Sequence, residues 1–232
     1  MKLSKRLTKI VEMTPSCDRI ADIGTDHGYV PCALLRTGRI QGAVASDINR
    51  KPLEKAVRTA SGYGLDAVID FRLGSGLEVL TPGEVRGAVI AGMGGELTRE
   101  ILEANMEVVR DLEFILLQPA QNPEVVRRYL YAGNYEVIRE DLVQEEDGRF
   151  YEYFLVRWQD EAPSIPLGPY DPMLSPRLIR EKHPLLRAFL EAKIAEIETI
   201  THKLDPAFQS SRNKLSELDR QKKYYQEVRS WL

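Results

Sequence analysis

Apolar positions recur along the chain at two spacings. Leu3, Leu7, Ile10 and Val11 step at helical intervals with Lys5, Arg6 and Lys9 between them, which predicts an amphipathic helix over residues 3–13 with a basic outer side, stopped by Pro15. Short apolar runs then alternate with helical stretches: residues 19–23, 43–46, 67–71, 88–91 and 114–117 read as buried strands. This alternation predicts an α/β fold, a parallel sheet with helices on both faces. Two more strands are predicted at 135–143 and 150–158, joined through residues 144–149, where Asp147-Gly148 is a hairpin signal. An antiparallel pair is thus expected to close the sheet.

The pattern changes after residue 162. Pro163, Pro166, Pro169, Pro172 and Pro176, with Gly168 among them, forbid a regular helix and predict a linker or wrapping loop. Beyond it Leu186, Leu190, Ile194, Ile197, Ile200 and Leu204 step by three or four residues, as do Leu215, Leu218, Tyr225, Val228 and Leu232, with Asp205-Pro206 between the runs. They predict an antiparallel, coiled-coil-like helical arm whose first helix spans ~40 Å if about 27 residues run unbroken. The expected organisation is a main domain over 1–162 and a proline-rich linker plus arm over 163–232.

Composition narrows the class without naming a chemistry. Hydrophobic residues at 43% and charged residues at 29% argue against disorder, collagen-like repeats and membrane spanning. A net charge of −3 carries no global signal for nucleic acid, but from residue 177 onward 12 Lys/Arg stand against 8 Asp/Glu, so positive charge is concentrated on the arm. Cys17 and Cys32 fit neither a disulfide framework nor a zinc spacing and read as small apolar residues of a reducing compartment. With no apolar leader at the N-terminus, a cytoplasmic protein is expected, a monomer or weak dimer. His183 and His202 lie on the arm, and no histidine has a second ligand at metal spacing, so no metal is expected.

The first strand runs into Asp22-Ile23-Gly24-Thr25-Asp26-His27-Gly28, just before a helical pattern. Small residues at such a turn let backbone approach a ligand, and the helix N-terminus favours its anionic end. A dinucleotide fingerprint would place glycine where Asp26 stands, and a carboxylate there repels a pyrophosphate. S-adenosylmethionine, with its ammonium and sulfonium, suits Asp22 and Asp26 better. Asp47, beside Ile48 at the end of the second strand, stands where doubly wound folds place an acid on the ribose. Gly74-Ser75-Gly76 at the end of the third strand leaves room for an adenine ring, with Ser75 at its edge. The fourth strand ends in Gly92-Met93-Gly94-Gly95, which offers backbone amides and carbonyls rather than a nucleophile and suits a site that positions an aromatic base. A glycine loop followed by one acid also occurs in many α/β proteins without this role.

In that order, Asp22-Ile-Gly-Thr-Asp-His-Gly28, Ala45-Ser-Asp47, Leu73-Gly-Ser-Gly-Leu77, Ala91-Gly-Met-Gly-Gly95, Leu117-Gln-Pro119 and Tyr151-Glu-Tyr153, followed by a helical pair, resemble the bacterial tRNA adenine-N1 methyltransferases that modify adenine 22. The resemblance covers nearly the whole chain. It implies a Rossmann-like class I methyltransferase sheet, S-adenosylmethionine as methyl donor, tRNA as partner and a C-terminal arm that binds it. Two positions depart from the family pattern: Ser75 stands where an acidic residue is expected, and Ala120 where asparagine is expected after Gln118-Pro119, with Asn122 nearby.

The reaction so implied is in-line attack by adenine N1 on the S-methyl carbon, in which positioning dominates. Cofactor-binding candidates are Asp22, Gly24, Thr25, Asp26, His27, Gly28, Asp47, Ile48, Gly74, Ser75, Gly76, Met93 and Gly94. On the acceptor side, carbonyls of Gly92 or Met93 accept from the exocyclic amine, and Asp26 or Glu96 stabilises charge developing on the ring. His27 either contacts the target base or the methionine moiety, or makes a loop-stabilising hydrogen bond; Met93 either walls the cofactor or fills core. Tyr29, Tyr151 and Tyr153 read as packing residues, and Arg6, Lys9, Arg36, Arg212, Lys214, Lys222 and Lys223 as either phosphate contacts or a solvated face. The residues alone leave the acceptor open: another RNA base, a small molecule, or a non-catalytic RNA-binding role.

Overall fold

The fold opens on helix α1 (Lys5–Met13), capped by the Ser4 hydroxyl, which accepts from Leu7 N. In the computed structural model, residues 1–161, 166–168, 171–205 and 207–232 are described. Five strands follow in parallel: β1 (Arg19–Ile23), β2 (Gly42–Asp47), β3 (Ile69–Leu73), β4 (Gly87–Gly94) and β5 (Phe114–Gln121). Helices α2 (Tyr29–Arg36), α3 (Arg50–Gly62), α4 (Gly95–Ala104), α5 (Met106–Asp111) and α6 (Pro123–Ala132) connect them or lead onward. The hairpin of β6 (Tyr135–Gln144) and β7 (Phe150–Trp158) completes a seven-stranded sheet in the order β3-β2-β1-β4-β5-β7-β6, with β7 antiparallel to both neighbours. The hairpin turn closes where Asp147-Gly148 predicts it, with Gly148 N donating to the Glu145 carbonyl.

Alternation along each strand divides the core. Ile20, Ala45, Val89 and Leu116 face α1, α2 and α3 and form one apolar cluster with Ile10, Val30 and Leu34. Ala21, Val44, Ile90 and Leu117 are equally buried and point the other way, where α4 and α6 pack on β4 and β5. The carboxyl ends of β1 and β4 lie side by side at the centre, the point at which strand order reverses and a crevice opens.

The sheet's far side holds an ion network. Arg127 on α6, almost wholly buried, donates through Nε to Glu140 on β6 at 3.2 Å and through Nη2 to Glu152 on β7, while the Tyr131 hydroxyl donates to Glu140 at 3.1 Å. Burial raises the Glu140 pKa and Arg127 opposes that shift, so the acids depend on the guanidinium beside them.

Two expectations are corrected. The third strand covers Ile69–Leu73 rather than 67–71, because Asp66–Val68 turns as a short 3-10 segment and Ile69, opposite Ala43, is the first residue with a strand partner. The first arm helix does not run unbroken: α7 (Pro176–Arg180) is separated from α8 (Leu186–Lys203). Pro184 disfavours helical backbone at His183, and Lys182 turns the chain at φ 49°.

The chain divides into two compact units, Met1–Pro166 and Leu167–Leu232. Within the second, α8 and α9 (Gln209–Ser230) pack together, each contributing buried apolar residues such as Ile194 and Leu218, and Lys222 Nζ pairs with Glu198 at 2.8 Å. Pro163, Pro169 and Pro206 lie outside the described residues. No helix among the described residues is long and apolar enough to cross a membrane, and no cluster of His, Cys, Asp or Glu there has the make-up of a metal site.

Candidate active site

One wall of the crevice is made by loops that leave β1, β2 and β3. Asp22 is buried one residue before the end of β1, and its carboxylate accepts from the Thr25 hydroxyl at 2.6 Å. Burial pushes its pKa up to about 6; the Thr25 hydrogen bond works against that shift and the Asp47 carboxylate adds to it. No cation pairs with Asp22 among the described residues. The next turn is held by Thr25 N donating to the Ser46 carbonyl at 2.8 Å and Gly28 N to the Thr25 carbonyl at 2.9 Å. Gly28, at φ 67°, starts α2 and lies so close to Ala56 of α3 that a side chain would crowd it.

Asp26 protrudes from this turn in the left-handed region, at φ 45°. Its carboxylate is 3.5 Å from His27 Nε2 and 3.7 Å from Lys55 Nζ. The His27 ring stacks on Tyr29 with centroids 5.2 Å apart, so both rings present a partly exposed aromatic face. Asp47 is buried at the end of β2, where its Oδ1 accepts from Asn49 N at 2.8 Å, while its carbonyl accepts from Gly74 N at 3.0 Å. That bond ties the third-strand loop, with Gly74, Ser75 and Gly76, to the second. Ile48 is exposed at the crevice rim.

The end of β4 forms the other wall. The ladder to β5 slips at Ala91/Met93 and again at Met93/Gly94, a bulge that re-aims successive residues. Met93 turns its methyl toward Gly24, where any side chain would collide with it, whereas a Cβ on Gly92 would point to Arg6 Nη1, 3.6 Å away. Gly94 has open space where a side chain would stand; at Gly95, the first residue of α4, a Cβ would run into the Asn122 carbonyl oxygen. The glycines of this motif thus serve different ends.

Of the predicted residues, the structure gathers those at the ends of β1 to β4 around one crevice. Glu96 lies on the first turn of α4, exposed, with its carboxylate 3.1 Å from Arg99 Nη2. Several of the candidate phosphate contacts are already engaged: Lys9 with Glu12 and Asp141, Lys214 with Glu217, Lys222 with Glu198, Lys223 with Asp219, and Arg36 over the Tyr63 ring. Sequence reasoning missed Gln118, fully buried at the end of β5, which accepts from Arg6 Nη1 at 2.6 Å and donates to the Pro119 carbonyl. It also missed Glu145, which accepts from Arg6 N at 2.6 Å at the amino end of α1 and whose pKa is lowered chiefly by that bond. The hydrophobic pattern carries no signal for either contact; only Gln118-Pro119 within a strand-end motif marks the place.

The residues fit a cationic, hydroxyl-bearing ligand: a buried carboxylate at Asp22 with no cation beside it among the described residues, and a second carboxylate at Asp47. Residues 3–154 match the family described as a methyltransferase domain, so the chain is a methyltransferase-domain protein with a Rossmann-like sheet. Its relatives are narrower in kind. The Bacillus subtilis tRNA (adenine(22)-N(1))-methyltransferase is 33% identical over 219 residues, 92% of this chain and 90% of that protein. The crystal structure of the Bacillus subtilis tRNA methyltransferase TrmK matches with a TM-score of 0.83 and 32% identity, covering 98% of each chain. M. capricolum TrmK, solved with S-adenosyl-homocysteine, matches with a TM-score of 0.81 and 25% identity over 98% of this chain and 99% of that one. The chain belongs to the tRNA (adenine(22)-N(1))-methyltransferase family.

Proposed function

We propose that this chain methylates N1 of adenine 22 in tRNA. The observation that carries the reading is the pairing of a cation-seeking crevice at Asp22 and Asp47 with near full-length similarity to that family. When bound, S-adenosylmethionine supplies the methyl group as a sulfonium and leaves as S-adenosylhomocysteine. Asp22 holds the ammonium end, with Gly24, Thr25 and Gly28 shaping the turn around it. Asp47 accepts from the ribose hydroxyls, and Ile48, Gly74, Ser75 and Gly76 flank the adenine of the cofactor. Met93 and Gly94 wall the transfer path from the β4 side.

The acceptor base must leave its stack so that its Watson–Crick edge faces the methyl group. A carbonyl at Gly92 or Met93 accepts from its exocyclic amine and so orients the N1 lone pair for in-line attack. As the N1–carbon bond forms and the sulfur–carbon bond breaks, positive charge moves onto the ring, where Asp26 stabilises it, with Glu96 at the mouth and His27 against the base. The basic arm gathers tRNA by its phosphates, the protein acts as a monomer or weak dimer, and it works in the cytoplasm.

The test is incubation of the protein with labelled S-adenosylmethionine and unmodified tRNA, nucleoside digestion and mass spectrometry. Formation of 1-methyladenosine at adenine 22 is expected. An unmethylated tRNA in the presence of bound cofactor would reject the acceptor and keep the donor.

A further inference from the structure

Arg6 belongs by sequence to the outer side of α1, yet its side chain ends in the crevice. Nη1 donates to Gln118 Oε1 at 2.6 Å and stands beside Gly92, while Cζ lies 5.7 Å from the centre of the Tyr151 ring. Its backbone is clamped too: N donates to Glu145 Oε1 at 2.6 Å, and the carbonyl accepts from the Tyr153 hydroxyl at 3.1 Å. Partners more than 100 residues away thus hold both ends of one arginine. A surface arginine that merely keeps α1 soluble needs no such support.

No carboxylate pairs with this guanidinium among the described residues, whereas Lys9 on the same helix bridges Glu12 and Asp141 at 3.3 Å each. Gln118 takes up Nη1 and leaves the Nε and Nη2 edge, a fork suited to an anion with two oxygens. The bulge in β4 separates this guanidinium from the cofactor loop, because Met93 points toward Gly24 and the bare α-carbon of Gly92 toward Arg6 Nη1. The guanidinium is therefore on the acceptor side. Its partner there is not the reacting ring, which becomes cationic during transfer and would be repelled.

We propose that Arg6, preset by Gln118 and Tyr151, binds a backbone phosphodiester of the RNA acceptor next to the methylated nucleotide. The inference rests on the RNA reading above and assigns the contact that seats the flipped nucleotide in the crevice.

The experiment compares the full-length protein with Arg6→Gln and Arg6→Lys. It reads tRNA affinity over a salt series, S-adenosylmethionine affinity by calorimetry, kcat and KM for tRNA, and Tm. For Arg6→Gln, tRNA binding and KM worsen about tenfold, kcat changes less, cofactor affinity and Tm hold, and the salt slope shrinks by about 1. Arg6→Lys keeps the slope, because it keeps the charge. Wild-type tRNA affinity and slope in Arg6→Gln would overturn the proposal. So would weaker cofactor binding, which assigns the guanidinium to the cofactor carboxylate, or a lowered Tm with an unchanged slope, which assigns it to packing of α1. A wild-type protein that binds tRNA with this Arg6-dependent slope but forms no 1-methyladenosine would reject the methylation reading alone.

Discussion

The proposed cofactor wall and the proposed acceptor wall of the crevice are assembled differently. On the cofactor wall each group lies within a few residues of the strand that carries it: Asp22 and Thr25 after β1, Asp47 at the end of β2, Gly74 just past β3. The acceptor wall joins α1, the β4 bulge, the end of β5 and β7, through bonds such as Arg6 to Gln118 and Tyr153 to Arg6. One wall is local geometry repeated three times; the other exists only once the whole sheet is closed.

The comparison predicts different failures on the two sides. The largest effect is expected for Glu152→Ala, which leaves Arg127 and Glu140 buried with their network broken; about 3–5 kcal/mol of stability is lost in urea titration. A loss within the range of ordinary surface changes would show that β7 does not depend on the network. Next comes Asp22→Asn, expected to weaken S-adenosylmethionine binding by roughly 2 kcal/mol, about thirtyfold, without lowering the stability of the ligand-free protein. Calorimetry showing wild-type affinity would remove Asp22 from the cofactor site.

Gly95→Ala should cost about 1–3 kcal/mol as the new methyl group pushes on the Asn122 carbonyl, whereas Gly94→Ala should leave Tm nearly unchanged and slow methyl transfer. Equal Tm losses for the two would contradict the open space at Gly94.

The last expectation concerns pH. Asp22 has a folded pKa of about 6, above its ordinary value of 3.8, so between these values the folded protein holds a proton that the unfolded chain releases. Stability of the ligand-free protein therefore falls as pH rises from about 4 to about 6. Cofactor affinity, which needs the ionised carboxylate, rises over the approach to pH 6 by at most ~tenfold per unit and then levels off. A flat affinity profile between pH 5 and pH 7, with Asp22→Asn indistinguishable from it, would separate cofactor binding from this group.

The same division explains what could be read beforehand. Strands announced by apolar runs, the Asp147-Gly148 turn and the glycine motifs are local signals, and the cofactor-side residues sit on them. Gln118 and Glu145 are ordinary polar residues whose meaning depends on α1 lying across β5 and the hairpin, a tertiary arrangement without sequence periodicity. Arg6 shows the limit well: its helical phase places it on the basic side of α1, and only the folded chain distinguishes it from Lys9. The break before α8 has a local cause in Pro184, which the leucine and isoleucine spacing from Leu186 onward does not register.

Strand order also bears on how the protein is made. β7 lies between β5 and β6 in space but follows both in the chain, so β6 leaves the ribosome before the strand it pairs with. Until Val156 has emerged, the β5 edge lacks its full pairing, and until Glu152 has emerged the Arg127 guanidinium lacks one of its acids. Ribosome-stalled chains ending within β7 should remain protease-sensitive and turn resistant once the strand clears the exit tunnel. β7 acts as the bolt of the sheet, and protection appearing before it would place the closing step elsewhere.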